Sequence, residues 1–153
     1  MIATIQRVDS ASVSVDKKTV GSIGKGLLIL LGVFDHDSAD DCEILGKKIA
    51  KLRIFCDEFD KMNLSLLDIG AGALVVSNFT LCADTKKGNR PSFSNAKEPV
   101  EAEKLYELFV GHLKKTGVSK VQCGKFGADM RINAELNGPI TISLDTLGWR
   151  KGQ

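Results

Sequence analysis

The sequence is short of the groups that enzymes most often use to move protons or hold metals. Its 153 residues include two histidines, His36 and His112, and four well-separated cysteines, Cys42, Cys56, Cys82 and Cys123. With no C-x-x-C pair and so few imidazoles, a zinc site is not expected, and no metal or other cofactor is assigned. Ser or Cys nucleophiles normally work beside a base, usually His. Here His36 sits in the polar segment "FDHDSADD", where it is expected to be solvated, and His112 falls late in a helix, near its negative dipole end. Neither G-x-x-x-x-G-K-[ST] nor G-x-G-x-x-G occurs, which removes the common phosphate loops. No apolar run approaches the roughly 20 residues that a membrane-spanning helix needs, and "MIATIQRVDS" lacks a signal peptide's regions. The chain is therefore read as cytoplasmic, with no membrane partner. The cysteines are expected to be buried small hydrophobes in a reducing compartment. A formal net charge of +2 is too small to announce a nucleic-acid binder, although it permits local basic patches.

What remains is an ordinary globular composition, read as one domain over 1–153. "IATIQRV", "ASVSVD" and "TVGSI" alternate and read as three short strands, the last two joined by the turn Asp16-Lys17-Lys18. "GKGLLILLGVF" is a glycine-bounded apolar run, expected as a central strand buried on both faces. Ser38 and Asp41 have capping-box spacing, and Cys42, Leu45, Ile49 and Leu52 recur at helical intervals. "RIFCD" and "GALVVSNFTL" are expected as strands with a loop between them. A second helix should start near Pro99 and present Ala102, Leu105, Tyr106, Phe109 and Leu113 as its apolar stripe up to Gly117. "KVQC", "MRINAEL" and "PITISL" finish the pattern as strands. The fold class is α/β, with mixed, mostly antiparallel strands. Two helices cannot clothe both faces of so many strands, so a two-layered arrangement or a partial barrel is expected, with both helices packed on one outer face.

Three segments depart from this regularity. "VVSNFTLCADT" places Ser77, Asn78 and Thr80 at the end of an apolar strand. "KKGNRPSFS" is a basic, glycine- and proline-punctuated loop holding Phe93. In "LNGPIT", Asn137-Gly138 between alternating runs signals a hairpin turn, yet Pro139 follows at once and spoils the first residue of the return strand for pairing. By spacing alone these could be a strand end, a solvated loop and a stray turn proline.

The same segments resemble the D-aminoacyl-tRNA deacylase family, and the likeness runs nearly end to end. "IQRV", "ASVSVD", "IGKGLLILLGV", "LRIF", "KMNLSL", "LVVSNFTLCADTKKGNRPSFS", "KFGADM" and "NGPIT" occur in that family's order and spacing. "SNFTL" is similar to its Ser-Gln-Phe-Thr-Leu signature, with Asn78 in place of the usual Gln, and "NGPIT" to its Asn-Gly-Pro-Val-Thr signature. The tail "DTLGWRKGQ" runs past the end of many members and is given no function. The resemblance implies a homodimer that hydrolyses the ester joining D-amino acids to the 3′-terminal adenosine of tRNA. It implies a catalytic segment Ser77, Asn78, Phe79 and Thr80. It also implies a substrate-binding and chirality-selecting set of Gly138, Pro139, Arg7, Phe93 and Met130.

In that family the Gly138–Pro139 bond is cis and enters the partner subunit's active site, so two backbone carbonyls can hold the amino acid's ammonium and Cα from one side. An L side chain would meet backbone, whereas a D side chain would point to solvent. Such exclusion cannot reject glycine. Arg7 resembles the arginine that braces the motif; read by itself it is a surface Arg on an edge strand. Backbone N–H groups at Ser77, Phe79 or near Thr80 are candidate oxyanion donors, with a terminal 2′-hydroxyl helping to activate water. Thr80 as a covalent nucleophile is the rival mechanism, and it has no visible base. Two other readings stay open: an editing deacylase with relaxed chirality, and a non-catalytic nucleic-acid-binding protein of the same fold.

Overall fold

In the computed structural model, which describes residues 1–149, one long strand organises the sheet. Strand β1, Ile2–Val15, carries no glycine or proline to interrupt it, so the two expected opening strands are a single element. Residues Ile2–Val8 pair antiparallel with β3, Gly26–Gly32, and Ala11–Val15 pair with β2, Lys18–Ile23. The β1–β2 turn is made by Asp16 and Lys17 at φ 50° and 65°. Along its other edge β1 pairs over nearly its whole length with the last strand, β8, Arg131–Asp145. Strand β6, Gly72–Ser77, lies parallel to β3, and β7, Lys120–Cys123, lies parallel to β6. Gly21 of β2 closes against β7, where a Cβ would stand 2.7 Å from the Cys123 carbonyl oxygen. The sheet is thus curled into a nearly closed partial barrel.

Helix α1, Ala39–Lys51, begins at Ser38, whose N–H donates to Asp41 Oδ2 at 2.8 Å as the capping-box spacing requires. Helix α2, Pro99–Thr116, has Glu98 as its N-cap and Pro99 in its first turn, and ends at Gly117 in the left-handed region, φ 102°. The two helices pack together over one sheet face, where Leu45, Ile49, Phe109 and Leu113 meet Ile5, Leu27, Ile29, Ala73 and Val75. Alternate residues on the same strands, Val8, Leu28, Leu74 and Val76, fill the barrel interior with Val13 and Ile23. This two-sided burial is what the uninterrupted apolar run of β3 anticipated.

Four further details differ from the sequence reading. "RIFCD" supplies only β4, Phe55–Cys56, which forms a separate small hairpin with β5, Met62–Leu64, in the stretch expected to be a loop. The strand through "VVSNFTL" stops at Ser77, and Phe79–Cys82 is a 3-10 turn. Cys56 is exposed, whereas Cys42 and Cys82 are buried and Cys123 is half-buried. No hairpin forms at Asn137-Gly138: both halves of β8 pair with the same partner strand. Between Gln6 and Val8 the β8 register runs from Thr141 back to Leu136, leaving 137–140 looped out as a wide bulge opposite Arg7. A bulge accommodates a proline that a regular ladder would not. Among the described residues no helix is long and apolar enough to cross a membrane.

Candidate active site

The end of β6 builds the site. A buried strand that stops beside its parallel neighbour leaves its last polar residues at the sheet's edge, and the chain there is turned by backbone bonds. Asn78 N–H donates to the Leu31 carbonyl at 2.7 Å, and Leu81 N–H to the Asn78 carbonyl at 3.2 Å. The first N–H groups of such a turn have no partner within it, so those of Phe79 and Thr80 are available to an incoming oxygen. The Thr80 hydroxyl is hydrogen-bonded to Asn78 Oδ1.

Asp84 and Ser92 then exchange two backbone hydrogen bonds, 2.7 and 2.9 Å, which pinch off the loop carrying Lys86, Lys87 and Arg90. That returns Phe93 onto Phe79, ring edge to ring face, with centroids 5.0 Å apart and planes at 72°. Phe79 is 59% exposed and Phe93 36%, so the aromatic pair is accessible. Ser77, Asn78, Phe79, Thr80, Phe93 and Met130 all line one cavity of about 780 Å³. It is walled by apolar residues of β3 and β6 and by the 126–130 segment, the mixture of apolar wall and few polar groups that suits a small-molecule end. Phe126, Lys97 and Glu98 also line it. The sequence reading quoted "KFGADM" without singling out Phe126, and only its nearness to Met130 could have suggested it.

Arg7, Gly138 and Pro139 are not on this wall. They form a second constellation on β1 and β8. Arg7 is half-buried on a strand paired along both edges, so it is no edge-strand residue. Its Nε donates to the Asn137 carbonyl at 3.2 Å, one terminal nitrogen to Asn137 Oδ1 at 3.0 Å and the other to the Ile54 carbonyl at 2.8 Å. The Gly138–Pro139 peptide is cis, Gly138 has φ 130°, and both residues are exposed.

Both carboxylates on the cavity wall have hydrogen-bonding partners. Glu98 accepts from the Val100 and Glu101 N–H groups, and Asp129 Oδ1 pairs with Arg131 at 2.7 Å. Burial pushes the Cys82 thiol, at the end of the 3-10 turn, up to about 11, and raises those of Cys123 and Cys42, the latter to about 12. Burial likewise raises Tyr106, whose hydroxyl donates to the Val75 carbonyl at 2.8 Å. Such thiols are protonated and poor nucleophiles at neutral pH. Among the described residues no three His, Cys, Asp or Glu side chains converge as metal ligands. His36 stacks on Phe34, away from this cavity, and His112 backs onto Gly46.

A family model described as D-Tyr-tRNA(Tyr) deacylase matches residues 4–145. A protein of Thermosipho melanesiensis named D-aminoacyl-tRNA deacylase is 51% identical over 146 residues, covering 95% of this chain and 97% of the relative. One of Clostridioides difficile with the same name is 53% identical at the same coverage. Among solved structures, one described as a c-Myc DNA Unwinding Element Binding Protein superposes with a TM-score of 0.90 at 39% identity, covering 95% of this chain and 98% of its own. Another, described as a probable eukaryotic D-amino acid tRNA deacylase, shares the fold with a TM-score of 0.83 at 18% identity, covering 94% and 97%.

Proposed function

The chain belongs to the D-Tyr-tRNA(Tyr) deacylase family, and from that premise we propose that it hydrolyses the ester joining a D-amino acid to the 3′ end of tRNA, as a proofreading enzyme. The observation that carries this reading is the gathering of Ser77, Asn78, Phe79, Thr80, Phe93 and Met130 on one cavity within a family match of nearly full length. In the proposed reaction the substrate carbonyl lies against the Phe79 and Thr80 N–H groups. These stabilise the oxyanion formed when a water oxygen attacks the carbonyl carbon, a contribution commonly worth about 3 to 4 kcal/mol per donor. The bond to the ribose oxygen then breaks and that oxygen takes up a proton, leaving free amino acid and tRNA. The neighbouring 2′-hydroxyl assists the attacking water, since among the described residues no histidine or unengaged carboxylate lines the cavity to act as base. The rings of Phe79 and Phe93 offer stacking surface to the terminal adenine, and Lys86, Lys87 and Arg90 offer charge to the phosphates.

Chirality is assigned to Gly138 and Pro139 acting from the partner subunit of a homodimer. Two features support this: the pair is exposed and off its own cavity wall, and β8 pairs among the described residues only with β1. Its exposed Ile132 and Leu136 make a long apolar edge strand of the kind that calls for a cover. Selection by exclusion passes glycine, so glycyl-tRNA is also a substrate in this reading.

The test is hydrolysis of matched D- and L-tyrosyl-tRNA by the purified protein, in which the D ester should be cleaved and the L ester spared. Equal rates would favour relaxed chirality. Tight tRNA or DNA binding without hydrolysis would favour a binding module, a second reading kept because a relative at 39% identity is described as a DNA-element binding protein.

A further inference from the structure

The bulge that presents Gly138 and Pro139 is held by more than Arg7. No carboxylate is among the acceptors of the Arg7 guanidinium, which are the Asn137 carbonyl, Asn137 Oδ1, the Ile54 carbonyl and, at 3.9 Å, Cys56 Sγ. A carboxylate is reached through the Asn137 amide, whose Nδ2 donates to Asp9 Oδ1 at 2.7 Å. An amide between a cation and an anion has one favourable orientation, oxygen to the guanidinium and NH2 to the carboxylate, because Arg has no acceptor and an ionised Asp no donor. Asn137 is thereby fixed at its main-chain oxygen and at both ends of its side chain, immediately before Gly138. Asp9 reaches it because β1 carries its own irregularity, where the register slips between Val8 and Ser10. Asp9 itself is exposed and lies outside both apolar cores.

We infer that Asp9 is a positioning residue for chiral selection, completing an Arg7–Asn137–Asp9 relay that sets where the Gly138–Pro139 carbonyls stand. The inference rests on the deacylase reading for its consequence and on geometry alone for the relay. Asp9→Ala should leave the thermal midpoint nearly unchanged, as expected for an exposed side chain. It should lower the D-over-L ratio of kcat/KM about tenfold, which corresponds to about 1.4 kcal/mol of lost discrimination. Asp9→Asn, which can still offer a carbonyl oxygen, should restore most of the ratio. In a double-mutant cycle with Asn137→Ala the two losses should not add, since each breaks the same link.

A second readout needs no activity. The Asn137 side-chain amide protons should exchange slowly in the unmodified protein and several-fold faster in Asp9→Ala, as followed by NMR. Protein that cleaves neither ester would defeat the deacylase reading, yet the amide measurement would still decide the relay. Unchanged Asn137 exchange in Asp9→Ala, or an unchanged D-over-L ratio in an enzyme that does discriminate, overturns the inference.

Discussion

At Thr80 the hydroxyl is already engaged by Asn78 Oδ1, and the two carboxylates on the cavity wall are held by the α2 amides and by Arg131. A covalent mechanism would need one of them as base. With water as nucleophile, Thr80→Ala should cost no more than the roughly 10²-fold lost with a single oxyanion donor, whereas deleting a true nucleophile costs on the order of 10⁶. Single-turnover hydrolysis of D-tyrosyl-tRNA separates the two, and replacing the terminal 2′-hydroxyl by hydrogen should slow it more than the Thr80 change does. The buried thiols make a different statement. Cys42 stays protonated in the fold to about 12, while its ordinary value is 9.0. The unfolded chain therefore releases this proton first as pH rises. Stability present below pH 9 should be lost progressively between pH 9 and about 12. Denaturation midpoints across that window should fall less steeply for Cys42→Ala than for the unmodified protein.

At the scale of elements, periodic segments were legible and irregular ones were not. Both helices were plain because capping and apolar spacing agree: Ser38 with Asp41, and Pro99 with Gly117. The "SNFTL" segment reads as strand by its β-forming residues, but after Asn78 N–H makes its bond to Leu31 the chain is turned by Leu81 N–H bonding back to the Asn78 carbonyl, which local propensity does not encode. Asn137-Gly138 was misread as a hairpin for a related reason. Turn chemistry is local, whereas the bulge is imposed by pairing with a strand more than a hundred residues earlier. The site residues on the cavity came from the likeness to a family rather than from spacing. A close backbone contact is made by the glycine pair Gly26 and Gly72, where parallel β3 and β6 start. A Cβ on Gly26 would lie 1.9 Å from the Gly72 carbonyl oxygen. Since backbone, unlike a side chain, cannot swing away, Gly26→Ala should destabilise the protein by about 3 kcal/mol or more, measurable by urea denaturation.

For the whole molecule, the proposed homodimer ties assembly to activity. Leu136, 46% exposed on β8, should be covered by the partner, so Leu136→Glu should convert a dimer at micromolar concentration into a monomer. D-ester hydrolysis should fall with it, because each cavity would lose the partner's Gly138–Pro139. Sedimentation velocity and the deacylation assay, run on the same samples, check both halves; a monomer of full specific activity would contradict the arrangement. The pairing of first strand with last also has a consequence for synthesis on the ribosome. β1 leaves the ribosome more than a hundred residues before β8, so throughout that interval one edge of a fourteen-residue strand lacks its native neighbour. A nascent chain in that condition is a template for wrong pairing. Its demand for chaperone shielding should therefore last until β8 leaves the exit tunnel.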